Sequence, residues 1–384
     1  MKTRLLLTEE FRPGLLYKLV EWNHAEQFVI ELLTDLNNDP GLYGVFVPDK
    51  NLPGLTVKVA EKEVAMLYFH LHHFNTLPHY FIASNAANKN ETIARLVLDG
   101  IIEIKWKGNF VSGTAATTAV LGGYVFDDTA VPSLLSALSL QAIHYVWMQH
   151  NQDLKSLAAK MYTFNTIPWD AAMRNSFAAK HNTREFLFGK NNAVLEKHLD
   201  KKWIAVSSSE KNGWFSWARP PENDTGFIQT HKLFISPLMD DFPAVIAKSI
   251  PIINASAAIN FKTGSNILGL LRPDKMVVYF MSEALLLQTA ALLEKELEGC
   301  RVQGVPFSSQ LDKNGLLSYG IDPPVSEVLD AIEGGSWRTT ITDKLALAIL
   351  HTKRDGLSWQ QSLDFIKAFL ISDSIDPNKW MIVN

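Results

Sequence analysis

The sequence predicts an α+β chain in which a helical N-terminal region with a winged-helix-like hairpin is followed by a mixed α/β domain. Three observations predict it. Apolar residues recur at three- and four-residue spacing through "GLLYKLVEWNHAEQFVIELLTDL" and "EKEVAMLYFHLHHFNTL". From about Trp203 the pattern changes to short β-rich runs, "KWIAVS", "WFSWARP", "HKLFISP", "INFKTG", "KMVVYF" and "LLSYGIDPP", interrupted by helical stretches such as "ALLLQTAALLEKELEG". The 384 residues, 47% of them hydrophobic, supply enough core for two or three domains.

Taken in order, the first helix is expected to end in the "NNDPG" turn. "NETIARLVLDGIIEIKWKGNFVSG" then reads as a helix, a break at Gly100 and two short strands around "KGN", a wing-like tip suited to holding a peptide or partner. "SLLSALSLQAIHYVWMQHNQDLKSLAAKMYTFNTIP" is amphipathic up to Pro168, and its aromatic stripe, Tyr145, Trp147, Tyr162 and Phe164, reads as core. The division expected is residues 1–130 for the N-terminal region and 131–384 for the second domain, whose core spans about 200–384.

Composition narrows the function. A net charge of −4 gives no global basic field for nucleic acid or an anionic membrane, so any anion site is local. The single cysteine, Cys300, excludes an intramolecular disulfide framework and a thiolate metal cluster. The leucines after "MKTR" are too few for a signal-peptide core, and no 18-residue apolar run occurs, so a cytoplasmic protein is expected. His70, His72 and His73 in "FHLHHF" lack a carboxylate at metal spacing, and no metal is expected. Neither GxxxxGK[ST], GxGxxG nor protein-kinase motifs occur, so no nucleotide or other cofactor is expected.

The chemistry starts at "THKLFISP". In a regular strand Lys232, Phe234 and Ser236 share one face while Leu233 and Ile235 share the other, so Lys232 needs an anion or a solvated cleft. "INFKTG" repeats the situation at Lys262, and the helix-like "DDFPAVIAKSIPIINASAA" between them returns the chain to the same sheet. Arg272 and Lys275 precede the next strand, and Tyr319 and Asp322 lie in and after a later one, Asp322 being placed to fix a turn before two prolines. Clustered Arg and Lys suit a phosphate, and a lysine among other cations is a base near neutral pH. A base with a phosphate clamp is the equipment for β-elimination from phosphoserine or phosphothreonine.

"HKLFISP…INFKTG…LRPDKMVVYF" resembles the phosphothreonine/phosphoserine lyase family, shared by bacterial effector lyases and the lyase domains of class III lanthipeptide synthetases. "GVPFSSQLDKNGLLSYGIDPP" and "SWR" are similar to the stand-alone lyases of class V lanthipeptide and thioamide-peptide clusters; the likeness covers roughly residues 200–384. It implies a phosphothreonine-lyase-like second domain, Lys232 and Arg272 as phosphate ligands and Lys262 as general base. Lys275 and Arg338 are further candidate phosphate ligands, and Tyr279 and His231 further candidate catalytic groups. Two positions depart from the family: its general-acid histidine falls on Phe234, and its arginine before the Tyr-Gly pair falls on Ser318. His231, Tyr279 and Tyr319 are the alternatives as proton donor.

The expected activity is a metal-independent lyase that converts phosphoserine or phosphothreonine in a ribosomally made precursor peptide to dehydroalanine or dehydrobutyrine. Its partners would be the phosphorylated precursor peptide and a separate Ser/Thr kinase, with no nucleic acid or membrane. Two alternatives come from the same residues: a degenerate lyase fold that binds a phosphopeptide or leader peptide, and an effector-like lyase acting on a phosphoprotein.

Overall fold

The computed structural model describes residues 3–26, 41–49, 52, 54–82, 86–122, 132–150, 153–168, 175, 177, 182–207, 213–220, 230–322 and 336–382. The strands, in chain order, are β1 (Phe11–Pro13), β2 (Tyr17–Glu21), β3 (Leu42–Pro48), β4 (Lys58–Glu61), β5 (Ile102–Trp106), β6 (Asn109–Val111), β7 (Ile204–Ser207), β8 (Trp214–Ala218), β9 (His231–Ile235), β10 (Asn260–Gly264), β11 (Met276–Phe280), β12 (Ser309–Gln310), β13 (Leu317–Ile321), β14 (Ile375–Asp376) and β15 (Met381–Ile382). They form sheets ordered β1-β5-β6, β2-β3-β4, β12-β13-β9-β11-β10-β8-β7 and β14-β15. No helix among the described residues is long and apolar enough to cross a membrane.

The N-terminal region is less helical than its apolar spacing predicts. Tyr17–Glu21 is a strand, paired antiparallel with β3 along its whole length from Tyr17–Pro48 to Glu21–Gly44. Cross-strand pairing of Leu19 with Phe46 and Val20 with Val45 outweighs a local helical periodicity. The "NNDPG" turn falls on residues that, except Gly41, lie outside those described. The helix at Lys62–Leu71 and the helix-then-hairpin after it, Ala86–Asp99 leading into β5 and β6, match the sequence reading. The hairpin closes with Lys107 and Gly108, both at positive φ (51° and 87°), as a two-residue turn needs to match the strand twist.

The seven-stranded sheet is antiparallel throughout, so the sheet-bearing part of the chain is α+β. Its two faces differ in chemistry, as the period of two requires. Leu233, Ile235, Phe261, Val278 and Phe280 share one core with helices Phe242–Ala255 and Glu283–Glu296. Lys232, Phe234, Lys262, Val277 and Tyr279 lie on the other face, as the register shows: Lys232 opposes Tyr279, while Val277 opposes both Phe234 and Lys262.

That second face is covered by the other half of the molecule. Residues from Leu6 to Met161 form a separate core, which helices Trp337–Arg354 and Trp359–Ser372 complete. Trp337, 1% exposed, is where this core meets the sheet, its indole Nε1 donating to the Phe307 carbonyl. Ser336 starts the helix by accepting from the Thr339 amide. Directly beneath lies Gly320, where an added Cβ would stand 2.9 Å from Trp337 Cδ1 and 3.2 Å from Phe234 Cε2.

Neither ring can retreat from that point, since both are buried. Gly320→Ala is therefore expected to cost about 1–3 kcal/mol through overpacking, read as a lower urea midpoint at unchanged slope. An unshifted midpoint would mean the seam is looser than its contacts indicate.

Candidate active site

Between the sheet and the start of helix Trp337–Arg354 lies a pocket of about 160 Å³ lined by Tyr162, Trp214, Lys232, Phe234, Lys262, Arg272, Asp274, Val277, Tyr279, Ser336, Trp337 and Arg338. Five of the seven site residues proposed from sequence line it: Lys232, Lys262, Arg272, Tyr279 and Arg338. β9, β10 and β11 lie side by side, which sets the two lysines on either side of Tyr279: Lys232 Nζ is 5.5 Å from its ring centroid and Lys262 Nζ 5.7 Å. Lys262 also sits 4.4 Å above the Trp214 ring.

The cations are held by two carboxylates. Lys232, 7% exposed, pairs with Asp322, which also accepts from the Thr230 hydroxyl at 2.6 Å. Asp322 thus ties the end of β13 to the residue before β9 and neutralises a buried ammonium, while the turn expected of it, at Pro323 and Pro324, lies outside the described residues. Asp274 accepts from Arg272 Nε and Nη2, each at 2.8 Å, and lies 2.9 Å from Arg338 Nη1. Burial alone would raise the Asp274 pKa, but Arg338 and Arg272 hold its carboxyl well below the usual range. Four cations against Asp274 and Asp322 leave two net positive charges.

Lys262 is the cation without a close carboxylate of its own among these pairs. Burial, reinforced by the charge of Lys232 and opposed by Asp274, lowers its pKa from 10.5 to about 8. The Tyr279 hydroxyl moves the other way: burial, with Asp322 and Asp274 nearby, raises it and keeps it protonated.

The other two proposed residues are placed elsewhere. Lys275 is fully buried and donates to the Pro237 carbonyl at 2.6 Å and to the Gln303 side chain, bracing the segment before β11. Burial lowers its pKa to about 7, but its ammonium does not line the pocket. His231 follows the strand alternation onto the opposite face, where its ring stacks on Tyr319 and Nδ1 lies 2.9 Å from the Tyr319 hydroxyl. Burial lowers its pKa as well. Phe234 stays in the pocket, 4% exposed, clustered with Val277 and Val305, and Ser318 accepts from the Ser308 hydroxyl in the buried interior.

Sequence reasoning missed Asp274, Trp214 and the pocket role of Tyr162. Of the aromatic stripe read as core, Trp147 and Phe164 pack against the first core. Tyr145 is 46% exposed, and Tyr162 turns into the pocket with its hydroxyl 3.1 Å from Arg272 Nη2. "RPDK" held a signal for Asp274, because a buried arginine requires a nearby counter-charge.

No protein-family model and no curated protein matches this chain. Among solved structures it is similar to an effector protein from Pseudomonas syringae pv. tomato, with TM-score 0.43 and 13% identity over 65% of this chain and 99% of that one. Phosphothreonine lyases stand beside it. The type III effector/phosphothreonine lyase OspF from Shigella flexneri gives TM-score 0.27 and 13% identity over 38% of this chain and 86% of that one. The phosphothreonine lyase SpvC, an effector from Salmonella, gives 0.28 and 13% over 48% and 89%. At these values the likeness carries no residue roles, and the chemistry of this chain is read from its own pocket.

The depressed pKa of Lys262 fixes a stability prediction. Its folded-state pKa lies below its unfolded value, so the charged form costs folding energy in full below pH 8, and the cost fades as pH rises from about 8 to 10.5. Lys262→Met is expected to raise stability by about 1–3 kcal/mol at pH 7, with the gain shrinking through that window. Melting curves at pH 7 and pH 10 check both; a variant destabilised at pH 7 would contradict the burial penalty.

Proposed function

We propose that this protein eliminates phosphate from phosphoserine or phosphothreonine side chains of a peptide. The observation that carries the reading is the pocket itself: two net positive charges with Lys262 protonated, one when it serves as base, and a lysine of pKa about 8 in about 160 Å³. A phosphomonoester brings nearly two negative charges at neutral pH. The volume is well below the roughly 300–1,000 Å³ of cofactor and drug-sized sites, which suits a phosphorylated side chain rather than a nucleotide.

In this reading Lys232 and Arg272 hold the phosphate, and Lys262 takes the Cα proton of the substrate. The electron pair forms the Cα–Cβ double bond, the Cβ–O bond breaks, and inorganic phosphate leaves with its electrons. Phe234 offers no proton where the lyase resemblance calls for a histidine, so the leaving charge is stabilised by the cations and by the protonated Tyr279 hydroxyl. The product carries dehydroalanine or dehydrobutyrine. The motif resemblance favours a ribosomally made precursor peptide, phosphorylated by a separate kinase, in lanthipeptide-type maturation; an effector-like lyase acting on a phosphoprotein uses the same chemistry. A second reading, a phosphopeptide- or leader-binding protein without turnover, is favoured by one observation, the buried phenyl ring of Phe234 in the pocket.

The decisive assay incubates the protein with a phosphothreonine peptide and follows phosphate release and peptide mass together. Loss of phosphoric acid in the wild type, abolished in Lys262→Ala, is expected. Since the base acts unprotonated, kcat/KM is expected to climb tenfold per pH unit below about 8 and level off above it. Binding without mass loss would select the second reading.

A further inference from the structure

Asp274 and Arg338 line the same pocket, yet their polar atoms face each other and the protein. Arg338, 2% exposed, donates from Nε to the Pro306 carbonyl at 3.2 Å and from Nη2 to the Tyr162 carbonyl at 2.6 Å, while Nη1, without a hydrogen bond, is ion-paired with Asp274 Oδ2 at 2.9 Å. The Tyr162 ring lies 4.5 Å beneath this guanidinium. Arg338 is thus fixed on four sides before any substrate arrives.

Arg272 is held differently. Asp274 takes Nε and Nη2 in a two-pronged bond, and the Tyr162 hydroxyl, itself 3.3 Å from Asp274 Oδ2, accepts from Nη2 at 3.1 Å. Nη1 is the nitrogen outside these bonds. A planar guanidinium pinned along one edge can turn little, so its remaining corner has a set direction.

We propose that Asp274, anchored by Arg338 and Tyr162, is a positioning residue that aims Arg272 Nη1 at the substrate phosphate, and that Arg338 itself binds no phosphate. The inference rests on the phosphate-eliminating reading above and assigns different work to the two arginines. Asp274 has a second influence. The groups around Lys262 are Lys232 from β9, Tyr279 from β11, Trp214 from β8, Arg272 and Asp274 from the segment before β11, and Asp322 after β13. Of these, Asp274 is the largest that favours the charged ammonium. Removing its charge moves the basic limb of the elimination to lower pH, which loss of a purely structural contact does not do.

The test titrates inorganic phosphate into the wild type, Asp274→Asn and Tyr162→Phe by calorimetry, with melting curves and the elimination pH profile alongside. Tyr162→Phe removes one hydroxyl and is expected to weaken phosphate binding about three- to tenfold with the fold intact. Asp274→Asn is expected to weaken it by more than about tenfold and to shift the pH limb toward acid. If Asp274→Asn does not fold, Tyr162→Phe decides alone. Variants that bind phosphate like the wild type overturn the positioning role. A wild type that binds phosphate tightly but eliminates nothing overturns the lyase reading and leaves the binding comparison to judge this one; a wild type that binds none overturns both.

Discussion

Four cationic side chains crowd one small, largely buried volume, and that volume exists only because two carboxylates are buried with them. Asp322 answers Lys232, and Asp274 answers Arg272 and Arg338 together. Either aspartate left out would strand a buried charge, the costliest defect a protein interior can carry. The compensation is incomplete, with two positive charges remaining, and at Lys262 burial first and then the charge of Lys232 lower the pKa. The chain's own carboxylates thus leave this surface positively charged.

The arrangement follows from where the pocket lies. One face of the seven-stranded sheet is closed by its own helices with apolar side chains, and the other meets the core built from the N-terminal region and the two long C-terminal helices. Charged residues at such a seam are shielded from bulk water and can still be reached. Trp337 and Gly320 set how close the two halves come.

Much of this was legible in the sequence. Every β-rich run named after Trp203 became a strand, because alternation in a half-buried sheet writes itself directly into residue order. The face shared by Lys232 and Phe234 followed from the same period of two, as did the removal of His231 to the far side. The N-terminal strand at Tyr17–Glu21 was not legible, since its partner β3 lies more than twenty residues away and local spacing there mimics a helix. Asp274 was hidden for a related reason: its role is to answer Arg338, 64 positions along the chain, and no local pattern announces a counter-ion. Lys275 misled because a lysine beside an arginine reads as part of one cluster, whereas the strand start turns its ammonium inward to Pro237 and Gln303.

The chain order of the pocket walls bears on how the protein is made. The residues that would meet the phosphate, Lys232, Lys262 and Arg272, all precede the wall that encloses them, Ser336 to Arg338, and the helices after it belong to the core begun at Leu6. During synthesis the sheet can assemble with its helices on one side while the cationic face stays open, and Asp274 has only one of its two arginines. The wall that closes the pocket belongs to the last part of the described chain and to the core shared with the N-terminal region. The cationic face is thus enclosed only where the two halves meet.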